Sequence, residues 1–129
     1  MSRHLAILVI LIRLWGALAI LVGVSLLLLA GGAFAIFLDP NGRPVVFAAA
    51  LTAGTFALIG AFAVIWGGGH VWAGMRVGRR DPVGRMLTLG LAVVNLLILP
   101  FGTALGCYAL WVLLTDEGRR LFEPPSVPA

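Results

Sequence analysis

Apolar positions fill the chain almost continuously from residue 5 to residue 114, and polar positions gather at two interruptions, 39–44 and 76–85. With the break at Pro100, four apolar runs result. Their lengths, and the lack of strict alternation, point to helices over about 5–38, 45–76, 83–99 and 101–115. Runs this long suit lipid rather than a soluble core, and lipid admits helices because each satisfies its own backbone hydrogen bonds. The expected fold is all-α: an integral membrane four-helix bundle, with a single transmembrane domain over 1–120 and a Pro-rich cytoplasmic tail over 121–129.

The first run is too long for one simple crossing. As a helix, 5–38 measures about 51 Å, against a hydrocarbon core of about 30 Å. Arg13 and Trp15 resemble an interfacial anchor. Residues 5–12, LAILVILI, then overshoot the core while being apolar on every side. An interfacial helix needs a polar face, so this segment is expected either to be drawn into lipid or to be covered by another subunit. Arg3 and the triplet Ala33-Phe34-Ala35 imitate a signal peptide, but the run exceeds an h-region of about 7–15 residues and reads as a membrane helix.

The turn at 39–44 is dense in helix breakers. In the second run, Ala49, Ala53, Ala57, Gly60, Ala61, Val64 and Gly68 share one face at 100° per residue. Phe47, Leu51, Leu58, Phe62, Ile65 and Trp66 share the other, with Phe56 beside the small face. Small residues let helix backbones approach closely, so this face is expected to meet another helix.

Pro100 admits two readings. It is either the turn of a hairpin or a kink in one long helix, which would leave three long helices. The excess of Arg on cytoplasmic loops arbitrates. Leaving Arg13 uncounted, a hairpin puts Arg3, Arg76, Arg79, Arg80, Arg85, Arg119 and Arg120 on one side against Arg43 alone. A kink moves Arg119 and Arg120 across. The hairpin is favoured, with both termini cytoplasmic.

Composition agrees: 61% of residues are hydrophobic and 11% charged, against roughly 45–50% and 25% in soluble proteins. The net charge is +4, all basic residues are Arg, and they flank the apolar runs. That placement is a topology signal and offers no nucleic-acid surface. Arg in place of Lys, with abundant Ala and Gly, fits a bacterial inner-membrane protein from a GC-rich genome. Cys107 is the lone cysteine and sits in an apolar run.

The stretch Asn95-Leu96-Leu97-Ile98-Leu99-Pro100-Phe101-Gly102-Thr103-Ala104-Leu105-Gly106-Cys107-Tyr108-Ala109-Leu110-Trp111-Val112-Leu113-Leu114, with Gly118-Arg119-Arg120-Leu121-Phe122 behind it, covers about the last third of the chain. It resembles the C-terminal signature PxGTxLGxYxLWVLL of small, uncharacterised four-helix bacterial membrane proteins. The resemblance implies a four-helix membrane fold and brings no activity or functional residue with it.

Few residues offer chemistry. His70 is a candidate ligand for a pigment, haem or metal, with His4 a conceivable second axial imidazole, or else a satisfied interfacial histidine. Asn95 is the most polar group near a span centre and suits a hydrogen bond between helices. Arg13 is expected to snorkel or to meet a subunit or headgroup. Gly102-x-x-x-Gly106 fits either self-association or packing within the bundle. The acidic residues all lie in loops or the tail, and no catalytic spacing or Cys/His metal spacing appears. The expectation is a non-enzymatic accessory or structural subunit, without cofactor or metal, whose partners are the lipid bilayer and other membrane subunits or itself. The alternatives are a homo-oligomeric channel or small transporter lined by Asn95, Thr88 and Thr103, and a pigment- or haem-binding subunit through His70.

Overall fold

A computed structural model describes residues 2–38, 46–98 and 100–123. The turn at 39–44, Leu99 and the end of the tail, 124–129, lie outside the described residues. Those described form five α-helices and no strand: α1 Ser2–Phe37, α2 Val46–Gly78, α3 Pro82–Asn95, α4 Phe101–Leu114 and α5 Asp116–Arg120. The single domain expected over 1–120 comprises two units, Gly16–Gly68 and a second made of Met1–Trp15 with Gly69–Ala129.

The unit Gly16–Gly68 is an antiparallel helix pair whose seam is made of glycine. A Cβ on Gly60 would stand 2.8 Å from the Gly23 carbonyl oxygen, and one on Gly23 would stand 2.7 Å from the Gly60 carbonyl oxygen. A Cβ on Gly67 would collide with the Gly16 carbonyl. Gly16 and Gly23 on one helix, and Gly60 and Gly67 on the other, are each two turns apart, so both pairs face the seam. Leu21, Leu28, Phe47, Leu58, Phe62 and Ile65 point outward and are exposed.

The other unit holds the core. Leu5, Leu8 and Ile12 of α1 are buried with Val77 of α2, Ala92 of α3, Leu105, Ala109, Val112 and Leu113 of α4, and Phe122. One face of the apolar overshoot at 5–12, formed by Leu5, Leu8 and Ile12, is therefore covered by the chain's own later helices, while Ile7, Ile10 and Leu11 stay exposed on the other. Phe122, assigned to the tail by sequence, belongs to this core.

Local chemistry fixes the helix ends. Arg80 takes φ 56° just after α2, a left-handed residue of the kind that commonly stops a helix. Asp81 then caps α3: its carboxylate accepts from the Val83 N–H at 2.9 Å and from Arg76 Nη1 at 2.7 Å, and Pro82 opens the helix. Arg76 also lies 4.9 Å from the centre of the Trp72 ring. Val83 supplies the larger pull and Arg76 the next, and together they hold the Asp81 carboxyl below its usual range.

Pro100 stands in a hairpin turn: α3 ends at Asn95 and α4 packs back against it, so the kinked-helix alternative does not hold. The proline–glycine–threonine sequence makes this turn. Thr103 Oγ1 donates to the Leu96 carbonyl at 2.9 Å, and the Thr103 N–H reaches the Ile98 carbonyl at 3.1 Å. A Cβ on Gly102 would stand 2.7 Å from the Asn95 carbonyl oxygen, and one on Gly106 would stand 2.6 Å from that of Ala92. Glycine is what lets the limbs close. Beyond α4, Thr115 turns extended at ψ 148° and α5 follows, an element the sequence pattern did not predict. Gly118 is pressed against the Val112 carbonyl there.

Candidate functional site

The polar groups buried in the core-bearing unit come from two helices. Thr88 and Asn95 lie two turns apart on α3 and so share a face. They meet His70 of α2. His70 is 1% exposed, and Thr88 and Asn95 are each 2% exposed. Asn95 Nδ2 lies 2.8 Å from His70 Nε2. With the amide in this orientation Nδ2 donates and the imidazole Nε2 accepts. Thr88 Oγ1 and Asn95 Oδ1 meet no protein partner. They border a void of about 10 Å³ walled by Ile12, Leu105 and Ala109, close to the smallest space that holds one water.

This arrangement ties α2 to α3 through an imidazole–amide contact. Among the described residues, no three His, Cys, Asp or Glu side chains gather as a metal site. His70 Nε2, the natural axial donor, faces Asn95. His4 is occupied separately: its Nδ1 lies 3.2 Å from the Tyr108 hydroxyl, and Trp111 meets its ring edge-on at 5.3 Å. Thr103 does not join Thr88 and Asn95, because its hydroxyl serves Leu96.

The other sequence candidates separate into three sets. Ala49, Ala53 and Gly60 are buried and Ala57 is half-buried. Ala61 is exposed, and Gly68 has open space where a Cβ would be. The close contact falls on Gly67 instead. Gly102 and Gly106 pack within the chain, against α3. Arg13 lies along α2, with Nη2 3.5 Å from the Gly74 carbonyl oxygen. Sequence reasoning missed Gly23, Gly67 and Gly74. The two-turn spacing of glycines in both long helices was the available signal for the first two.

The tether extends to Arg85, whose Nε donates to the Leu113 carbonyl at 3.2 Å and joins the start of α3 to the end of α4. No protein-family model, curated protein or solved structure matches this chain. By length and composition, Arg3–Phe37 and Val46–Gly78 are each sufficient to cross a membrane.

Proposed function

We propose that this chain is a small integral membrane protein that serves as a non-enzymatic accessory subunit, packing through its paired long helices against another membrane subunit or a second copy of itself. Residues 16–37 and 46–68 would each be about 33–35 Å long as helices, close to the hydrocarbon thickness. The limbs of the α3–α4 hairpin are about 21 Å each, short of a full crossing. The hairpin turn is also unlike a water-facing loop: Leu97 is 81% exposed and Phe101 73%. A hairpin that enters lipid and turns back accounts for both facts, and replaces two of the four full spans with a re-entrant element. The basic flanks favour a cytoplasmic N-terminus and C-terminus in a bacterial inner membrane.

One observation carries the subunit reading. Gly31, Gly32 and Gly54 lie inside helices, yet a Cβ on any of them would meet nothing. Glycine within a helix costs about 0.5–1 kcal/mol relative to alanine, and these three gain no contact within the chain in return. Gly31 and Gly54 line a groove of about 580 Å³ with Ala30, Ala53, Phe34 and Phe37. Small residues on an outward face suit close approach by another helix.

The test is extraction and copurification of the full chain. Membranes should retain it through an alkaline wash, and mild detergent should release it with a stoichiometric partner or as a homo-oligomer. A lone monomer in every mild detergent would refute the subunit reading.

A further inference from the structure

We propose that a groove beside Arg13, Arg79 and Arg80 binds the phosphate headgroup of one anionic phospholipid, with its acyl chains against α1. The inference rests on the membrane reading above. The groove encloses about 610 Å³, within the range of small-molecule sites. Its polar rim is the three arginines. Its apolar wall includes Val9, Ile10 and Met75, and Ile10 is exposed. No Asp or Glu lines it among the described residues. An amphiphile with a negative head matches a basic rim beside an apolar wall.

The neighbouring arginines behave differently. Arg76 is neutralised by Asp81 and stacked beside Trp72. Arg85 is tied to the Leu113 carbonyl. Arg79 and Arg80 are exposed and have no carboxylate partner among the described residues. Among the described residues Arg13 makes only the 3.5 Å contact with Gly74, which leaves most of its five N–H donors available. Glycines shape its path: a Cβ on Gly74 would come within 2.9 Å of Arg13 Cγ, and one on Gly78 within 3.3 Å of Nη2. Arg80 also holds a left-handed backbone at φ 56°, where glycine is the ordinary occupant. Arginine there accepts a steric cost and places a third guanidinium on the same groove.

The experiment is native mass spectrometry of the detergent-purified full chain titrated with phosphatidylglycerol or phosphatidylcholine. One phosphatidylglycerol should be retained per chain, in preference to phosphatidylcholine. Arg79→Gln with Arg80→Gly should weaken its retention about 25-fold, at about fivefold per arginine. Because Arg80→Gly relieves the backbone, this variant should fold at least as well as the parent. The charge-matched Arg119→Gln with Arg120→Gln should retain the lipid within about twofold, because those arginines lie outside the groove. Equal losses in both variants would show that retention follows net charge and would overturn the site. So would equal retention of the two lipids. Displacement by millimolar inorganic phosphate would show a free-anion site and overturn the lipid assignment. A chain that stays in membranes yet retains no phosphatidylglycerol refutes this inference alone, whereas one soluble without detergent refutes the membrane reading as well.

Discussion

Asn95 and His70 are hydrogen-bonding partners at 2.8 Å in the buried interior, and their contact ties the end of α3 to α2. Removing one partner leaves the other buried without it. Asn95→Leu should therefore lower stability by about 1–2 kcal/mol, read from thermal unfolding in detergent. His70→Leu should do the same. The double variant should lose less than the sum of the two, because the tether is lost only once. Strict additivity would show that the two side chains are not coupled.

Leu8 is fully buried and Ile10 faces outward. Leu8→Ala should cost about 2–5 kcal/mol, whereas Ile10→Ala should be far milder. Deleting residues 2–12 should expose the core of Val112, Leu113 and Phe122 and make the C-terminal helices sensitive to trypsin. A deletion variant as protease-resistant as the parent would show that this core does not need α1.

Gly67 and Gly68 are adjacent and should differ sharply. Gly67→Ala puts a Cβ onto the Gly16 carbonyl and should destabilise the helix pair. Gly68→Ala enters open space and should be neutral, or stabilising by up to about 1 kcal/mol through helix propensity. Unfolding midpoints of the two variants in one detergent make the comparison.

Much of the helical layout could be read from the pattern, because apolar runs and breakers act locally. The seam could not be placed to the residue. Small side chains occupy so much of the α2 circumference that Gly67 and Gly68 are separated only by which one the partner backbone approaches. Residues 5–12 were opaque for a related reason: they are apolar on every side, so the pattern does not show that Leu5, Leu8 and Ile12 form the buried face, and what buries it lies in Ala92, Val112 and Phe122, far along the chain. His70 and Asn95 were each visible as isolated polar residues. Their pairing depends on the hairpin closing through Gly102 and Gly106.

Asp81 should give a small pH signature outside the helices. Its carboxyl is held below the usual aspartate range by the Val83 N–H and then by Arg76. A lowered folded-state value means the stabilisation is fully present above the ordinary aspartate pKa, about 4, and is lost as pH falls through the folded-state value. Asp81→Asn keeps a capping oxygen but cannot titrate. The difference in unfolding midpoint between parent and variant should shrink below about pH 4, and a constant difference would contradict the assignment.

The subunit reading turns on Gly54, whose outward face is open within the chain. The most direct measurement is the mass of the complex released by mild detergent from membranes carrying the parent, Gly54→Leu or Gly60→Leu. Gly60→Leu should fail to fold, because the Gly23 carbonyl and Leu27 already occupy the space. Gly54→Leu should fold, remain in the membrane and be released as a monomer, having lost its partner. A Gly54→Leu chain that still migrates in the parent's complex would contradict the claim that this face holds a second subunit.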